Sequence, residues 1–138
     1  LNYIKKITGR YIEIETNGTI IPNKELLELV DLFNCSPKLS SSGNNKDDCM
    51  VPQALKTINS KSRDSIFKFV ISENNDLNEI LKDFNKHISR EKIWLMPAGE
   101  NQKSLNKNRK TVIDICKKEN FKFSNRLQID IWDQKTGV

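Results

Sequence analysis

The sequence predicts an α/β fold built on a mainly parallel sheet. Five segments have the length and apolar character of strands, and a segment with helical spacing of apolar residues lies between each consecutive pair. Strands joined by helices pair in parallel through right-handed crossovers. A length of 138 residues suits one core of modest size. We therefore expect residues 1–138 to form a single α/β domain, either an open sheet or part of a (β/α) barrel.

The first half of the chain contains two predicted strands and two predicted helices. Residues 10–16 alternate apolar and acidic side chains, as a half-buried strand does, and "NKELLELV" follows as a short helix with Asn23 as its N-cap. "DLFNCSPK" is predicted to be the second strand, ending at Pro37. Residues 40–48 are polar and rich in turn formers, which predicts a surface loop. A second helix begins at "VPQALKTINS", with Pro52 in its first turn.

The second half continues the alternation. "SIFKFVIS" and "KIWLMPAG" are nearly continuous apolar runs, which predict strands covered on both faces. Between them, apolar residues at helical spacing predict a helix capped by Asp76, and residues 103–119 predict a long, lysine-rich helix. In "RLQIDIW" apolar and polar residues alternate, which predicts a final strand with the polar face formed by Arg126, Gln128 and Asp130.

Composition and charge exclude several classes of protein. No apolar run approaches the roughly 20 residues of a membrane helix, and no signal peptide is visible, so we expect a cytoplasmic protein without a membrane partner. The formal net charge of +5 is densest at "KSLNKNRK". Such a run is usually a solvated helix face, so no nucleic-acid partner is predicted, and an anionic small molecule explains the mild basic bias equally well.

The cysteines and the histidine give no sign of a metal site. Cys35, Cys49 and Cys116 are odd in number and irregularly spaced, which fits packing thiols in a reducing compartment better than disulfides or metal ligands. His87 is the single histidine, and it falls beside the apolar stripe of a predicted helix. We therefore expect His87 to lie at the edge of the core.

Three of the predicted strands end in short polar or stiff segments. "ETNGT" ends the first, "SPK" the second and "MPAG" the fourth. Each segment alone is consistent with an ordinary turn. Because a parallel sheet directs all its carboxyl ends to the same edge, where ligands collect in such folds, the three together predict a ligand site.

These segments resemble 7-carboxy-7-deazaguanine synthase, a radical S-adenosylmethionine (SAM) enzyme of queuosine and deazapurine biosynthesis. The similarity covers essentially the whole chain, in order, and rests on "IEIETNGTI", "NCSPKLS", "FKFVIS", "IWLMPAGEN" and "FSNRLQIDIWDQKTGV". It implies the C-terminal part of a partial (β/α) radical-SAM barrel, with about five mostly parallel strands and intervening helices. The complete protein is then expected to be a homodimer that converts 6-carboxy-5,6,7,8-tetrahydropterin to 7-carboxy-7-deazaguanine.

The resemblance also implies which residues bind the ligands. The residues that match the family's SAM-binding segments are Glu15, Thr16, Asn17, Ser36, Pro37 and Lys38. Those that match segments along the pterin substrate are Met96, Pro97, Ala98, Gly99, Gln128 and, through its terminal carboxylate, Val138. No catalytic residue is carried over to this chain.

The chain departs from the family in three places. The cluster-binding motif CxxxCxxC and the segment GGEP are absent, so the ligands of the [4Fe-4S] cluster and of Mg²⁺ are expected in a preceding part of the complete protein. The chain alone is therefore expected to be inactive. Gln128 stands where many relatives have histidine, and an amide cannot transfer a proton near neutral pH.

Two other functions are compatible with the sequence. One is a fragment of another small radical-activating enzyme, since such enzymes share "ETNGT" loosely. The other is a cluster-free α/β binding module without catalytic activity. The "SPK", "MPAG" and "RLQIDIW" segments favour the synthase over the other radical-activating enzyme. The choice between the synthase and a binding module rests on whether CxxxCxxC and GGEP are encoded in frame before Leu1.

Overall fold

The computed structural model describes residues 3, 5, 8–135 and 137, and for Lys46 the backbone alone. Short 3₁₀ turns cover Ser40–Ser42 and Arg90–Lys92, and a π-helical turn covers Ile80–Phe84. The strands and helices, in chain order, are β1 (Glu13–Thr16), α1 (Lys24–Leu29), β2 (Leu32–Cys35), α2 (Lys46–Cys49), α3 (Pro52–Lys61), β3 (Ser65–Ile71), α4 (Asn74–Glu79), β4 (Ile93–Pro97), α5 (Gln102–Glu119), β5 (Lys122–Phe123) and α6 (Leu127–Trp132).

The five strands form one sheet in the order β1-β2-β3-β4-β5, and each neighbouring pair is parallel. The predicted α/β class with five parallel strands is thereby confirmed. Right-handed crossovers between consecutive strands carry every connecting helix to the same side of the sheet. This sequential order is that of a (β/α) barrel segment, whereas a doubly wound sheet reverses its strand order.

The core lies on the helix side of the sheet. Alternate residues of β3 are fully buried there, namely Ser65, Phe67, Phe69 and Ile71. Of these, Phe67, Phe69 and Ile71 pack in one core with Leu55 and Ile58 of α3, Ile80 and Phe84 of the π-helical turn, and Val112 and Cys116 of α5. Packing apolar side chains between one sheet face and a layer of helices supplies most of the stability of such a fold.

The opposite face of the sheet, called the open face below, is only partly covered. Its residues alternate with the core residues, and Lys68 and Val70 of β3 and Trp94 and Met96 of β4 are half-buried. The prediction that β3 and β4 are covered on both faces is therefore wrong. Because the crossover helices lie on one side, none of those between the described strands covers the other face.

The predicted last strand is also wrong, because residues 127–132 form the helix α6 and the fifth strand is the two-residue β5. The alternation in "RLQIDIW" suggested a buried apolar face, yet Leu127 and Ile131 are 63% and 54% exposed. Polar contacts from another helix hold this segment instead. The backbone N–H of Gln102 donates to Asp133 at 2.7 Å, and the guanidinium of Arg109 bonds Asp130.

Several element boundaries differ from those predicted. β1 is shorter than residues 10–16, and the predicted loop at 40–48 contains a 3₁₀ turn and most of α2. Asp76 is not the N-cap of α4. Glu73 occupies that position, and Asp76 reaches back to it in a capping box. The N-cap role of Asn23 is confirmed by a 2.8 Å hydrogen bond from the backbone N–H of Leu26, and Pro52 begins α3 as predicted.

Candidate functional site

Two adjoining clefts lie where the strands end on the open face of the sheet. The first cleft has a volume of about 530 Å³ and is lined by Glu15, Thr16, Asn17, Asn34, Ser36, Lys38, Lys68, Val70, Met96 and Arg126. The second cleft has a volume of about 440 Å³ and is lined by Ser36, Pro37, Lys38, Leu39, Ser41, Ser42, Asn44, Val70, Ser72 and Ala98. Ser36, Lys38 and Val70 belong to both. The two clefts together are large enough for a small-molecule ligand.

The structure brings most of the predicted ligand-binding residues to these clefts. All six residues from the predicted SAM-binding segments line one or both, and so do Met96 and Ala98 from the predicted substrate segment. Within the described part of the chain, Pro97, Gly99 and Gln128 line neither cleft. Val138 lies outside the described residues. The binding roles of all these residues stay predictions.

The turn after β1 explains why glycine follows "ETN". The side chains of Thr16 and Asn17 accept hydrogen bonds from the backbone N–H groups of Gly18 and Thr19, at 3.1 and 3.2 Å. Gly18 has φ +77°, and a Cβ there would lie 2.6 Å from the Sγ of Cys35. Only glycine therefore lets the backbone turn this close to the core, and the turn keeps Glu15, Thr16 and Asn17 at the first cleft.

One end of the first cleft is rich in hydrogen-bond acceptors. Asn34 is 7% exposed, and its Nδ2 donates to Oε1 of Glu13 at 2.7 Å and to Oε1 of Glu15 at 3.3 Å. These two bonds fix the orientation of the amide, because a flipped amide would direct its oxygen at two carboxylates. The buried Oδ1 of Asn34 then has no hydrogen-bond partner among the described residues. We call Glu15 and Asn34, which both line this cleft, the acceptor group.

Three cations line the same cleft. Lys38 is exposed, Lys68 is half-buried with its Nζ 4.0 Å from Oε1 of Glu15, and Arg126 is half-buried. The Nη1 of Arg126 donates to the carbonyl oxygen of Gly99 at 2.9 Å. We call Lys38, Lys68 and Arg126 the cationic group. With both groups at its surface, the cleft suits a ligand that carries N–H donors and a carboxylate.

Sequence reasoning missed Asn34, Lys68 and Arg126 as site residues. Asn34 and Lys68 lie within strands, and the prediction considered only the segments after strand ends. Each is nevertheless the single polar or charged residue inside an apolar strand segment, "LFNC" and "IFKFVI", and such a residue is the sign that a sheet face meets a polar cavity. Arg126 was predicted on the polar face of a last strand, whereas it precedes the helix α6, and it was not assigned to the site.

Gly99 and Gln128 occupy different surroundings. A Cβ on Gly99 would lie 2.7 Å from the backbone of Leu105, so this glycine allows the chain to pass close to α5. Gln128 is exposed on α6. The neighbouring Asp130 accepts hydrogen bonds from Arg109 and Asn125, which lower the pKa of its carboxyl below the ordinary value. This ion pair holds α6 against α5.

The described residues do not fit an iron–sulfur cluster. They contain no group of three or more His, Cys, Asp or Glu side chains that could hold a metal ion. Cys35 and Cys116 are buried thiols in the core, and burial raises the pKa of Cys35 to about 12. A thiol with so high a pKa is protonated near neutral pH and is a poor metal ligand.

Among the described residues, no helix has the length and apolar character needed to cross a membrane.

No family model matches the chain. The chain does match a curated relative, the 7-carboxy-7-deazaguanine synthase of Pyrobaculum aerophilum. The two are 29% identical over 127 residues, which are 91% of this chain and 54% of the relative. The chain is similar to about half of that enzyme. The family resemblance predicted from the sequence is thereby confirmed, and the chain spans about half the length of the relative it matches.

A solved structure agrees on the fold. The crystal structure of QueE from Escherichia coli superposes with a TM-score of 0.60 and 21% sequence identity, over 90% of this chain and 48% of that one. The five parallel strands and their helices are therefore the fold of part of the QueE structure.

Proposed function

We propose that this chain is the SAM- and substrate-binding part of an enzyme that acts as a 7-carboxy-7-deazaguanine synthase. The proposed reaction is the radical-SAM conversion of 6-carboxy-5,6,7,8-tetrahydropterin to 7-carboxy-7-deazaguanine in queuosine biosynthesis. The single observation that carries the proposal is the similarity to the Pyrobaculum aerophilum synthase across 91% of the chain. The convergence of "ETNGT", "SPK" and "MPAG" on two adjoining clefts adds to it.

The chemistry of the first cleft supports both proposed ligands. SAM has an ammonium and a carboxylate on its methionyl part, and the pterin substrate has an amino-substituted ring edge and a carboxylate. The acceptor group offers carboxylate and amide oxygens to the N–H donors of either ligand, and the unpartnered Oδ1 of Asn34 gains a partner if a donor binds there. The cationic group suits either carboxylate.

The remaining cofactors are proposed for another part of the complete protein. Since the described residues do not fit a cluster, we assign the [4Fe-4S] ligands and the Mg²⁺ site to the part of the synthase that this chain does not cover. When bound, the cluster supplies the electron that cleaves SAM. This chain's own residues bind and orient SAM and the substrate, and the chain alone is inactive as a lyase. A homodimeric, cytoplasmic enzyme completes the proposal.

The test is an assay of the complete protein that contains this chain. The protein is reconstituted anaerobically with iron and sulfide, supplied with SAM, a reductant and 6-carboxy-5,6,7,8-tetrahydropterin, and the products are separated and identified by mass. We expect 7-carboxy-7-deazaguanine from the complete protein and none from residues 1–138 alone. SAM cleavage without this product would favour a different radical enzyme, and a protein that binds no SAM would favour a binding module without catalysis.

A further inference from the structure

The second cleft is bordered by a short loop that follows Lys38. Leu39, Ser41 and Ser42 of this loop line the cleft. Ser40, between them, is bonded instead to the carboxylate of Glu79 on α4. Its backbone N–H donates to the two carboxylate oxygens at 3.3 and 3.1 Å, and its hydroxyl donates to Oε1 at 3.1 Å. One carboxylate thus holds a loop residue 39 positions away in the chain.

The loop itself is a compact turn. The backbone N–H and the hydroxyl of Ser42 donate to the carbonyl oxygen of Leu39 at 2.9 and 2.6 Å. Gly43 closes the turn with φ +78°, and its N–H donates to the carbonyl oxygen of Ser40 at 3.2 Å. Leu39 is 3% exposed and belongs to the core. The bonds to Glu79 therefore hold a turn that is already well formed and fix its position relative to α4.

The same helix also holds a second residue that lines this cleft. Asp76 is 2% exposed, and its Oδ2 accepts from the backbone N–H and the hydroxyl of Ser72 at 2.7 and 3.2 Å. Ser72 follows β3 and lines the second cleft. Asp76 and Glu79 are three positions apart and so lie on neighbouring turns of one helix face. Through these two carboxylates, α4 fixes the end of β3 relative to the loop after β2.

We propose that Glu79 is a positioning residue for ligand binding at the two clefts. By holding Ser40, it fixes the nearby residues Lys38 and Ser41, which line the clefts and are available to a ligand there. Charge-assisted hydrogen bonds that order a loop before the ligand arrives reduce the entropy lost on binding. The inference rests on the proposed function only for the identity of the ligand, which is SAM. The contact between Glu79 and Ser40 is present in the structure and does not depend on the identity of the ligand.

The test compares Glu79→Ala with Glu79→Gln and with the control Glu91→Ala in the complete protein. Glu91 is exposed in the turn before β4, at the amino ends of the strands and away from both clefts. Asp76 is not the residue to change, since loss of a buried carboxylate that holds three donors threatens the fold. Two quantities are measured: the SAM dissociation constant by equilibrium dialysis, and the hydrogen-exchange rate of the Ser40 amide.

We expect Glu79→Ala to weaken SAM binding about 5- to 10-fold, which is the lower part of the range for coupling between separate positions. The Ser40 amide should exchange faster, and the midpoint of thermal unfolding should shift little. Glu79→Gln should recover part of the affinity, because its amide oxygen still accepts from Ser40. Glu91→Ala should behave as the parent protein.

Each contrary result has its own meaning. Faster exchange at Ser40 with unchanged SAM affinity would show that Glu79 orders the loop without assisting the ligand, and would overturn the proposal. Unchanged exchange would show that the contact with Ser40 does not hold the loop, and would overturn it as well. A parent protein that binds no SAM would overturn the proposed function and the ligand-binding role of Glu79 together, and the exchange rate would then report on the loop contact alone.

Discussion

Arg126 joins the segment before α6 to the end of β4 by a 2.9 Å hydrogen bond from its Nη1 to the carbonyl oxygen of Gly99. The same guanidinium lines the first cleft. A residue on the last segment of the chain therefore contributes a positive charge to a site formed mainly by strand ends. Because Arg126 is bonded to a backbone oxygen, its position is fixed more firmly than that of the exposed Lys38.

Arg126→Met is expected to raise the Michaelis constant for the proposed pterin substrate about 10- to 100-fold in the complete protein. The reason is that a charge-assisted hydrogen bond to a ligand carboxylate contributes about 1.5–3 kcal/mol. The measurement is steady-state kinetics at saturating SAM. Lys110→Met is the control, because Lys110 is 87% exposed on α5 and pairs only with Asp114 among the described residues. An unchanged Michaelis constant in the Arg126 variant would remove the guanidinium from substrate binding.

Lys38→Met should weaken SAM binding by about 1–3 kcal/mol, since the variant keeps most of the side-chain stem and loses the ammonium. Folding should change little, because Lys38 is exposed. Equilibrium dialysis of SAM against the complete protein gives the affinity. Lys24→Met is the matched control, as Lys24 is 90% exposed on α1. If both variants bind SAM as the parent does, Lys38 is a surface residue only.

Gly18→Ala and Gly43→Ala form a matched pair, because the two glycines have φ +77° and +78°. At Gly43 no atom lies within 4 Å of the position of an added Cβ, so alanine adds only the backbone strain of about 1 kcal/mol. At Gly18 the Cβ would meet Cys35 at 2.6 Å and Leu55 at 2.9 Å. We expect Gly18→Ala to lower the free energy of unfolding by about 2–4 kcal/mol, as overpacking is added to the strain.

Urea denaturation measures both free energies of unfolding. Equal losses in the two variants would show that the core moves to accept the methyl group at Gly18, contrary to this prediction.

Asp31 should make stability depend on pH. Its carboxylate accepts from Lys5, Arg63 and the backbone N–H of Ile12, and the hydrogen bond from Lys5 is the main cause of a pKa below the ordinary value. A lowered pKa in the folded state means that the contribution to stability is present above the unfolded pKa of about 4. It is lost as the pH falls through the lowered value.

The measurement compares the parent with Asp31→Asn by urea denaturation between pH 7 and pH 2. We expect the variant to be less stable at pH 7, and the difference to shrink below about pH 4 as the parent's carboxylate is protonated. Asp47→Asn, at an exposed position in α2, serves as the control. A difference that stays constant over the whole range would show that the charge of Asp31 does not contribute.

The fold class could be predicted because strand and helix periodicities alternate along the chain, and alternation of this kind permits few topologies. The sequence could not predict that helices cover only one face of β3, because Ile66 and Val70 are apolar although they lie on the open face. Only Lys68 marks that face in the sequence. Whether an apolar run has one buried face or two depends on where distant helices pack, and local composition does not record this.

For a related reason, the local sequence pattern could not predict that residues 127–132 form the helix α6. Leu127, Ile129 and Ile131 alternate as in a strand, yet the segment is helical. Its position is set by Asp130 and Asp133, whose partners Arg109 and Gln102 lie on α5. Pairings over such sequence distances override a weak local preference in a segment of six residues.

The candidate site was predicted in outline, because a parallel sheet brings its carboxyl ends to one edge. The segments "ETNGT" and "SPK" and part of "MPAG" do meet there. Asn34 shows what was missed. Its exposure of 7% and its bonds to two glutamates follow from the pairing of β1 with β2, and the register Glu15 with Asn34 is known only once the strands are paired.

The alternation along β3 has a consequence for how such a protein can diversify. Residues 65, 67, 69 and 71 are buried among the helices, whereas 66, 68 and 70 belong to the open face. Neighbouring positions therefore have different surroundings: the first set is buried beneath the helices, whereas Lys68 and Val70 of the second set line the first cleft. We expect that randomising positions 68 and 70 would change the ligand preference of the proposed site, while the buried residues of the same strand keep the scaffold folded.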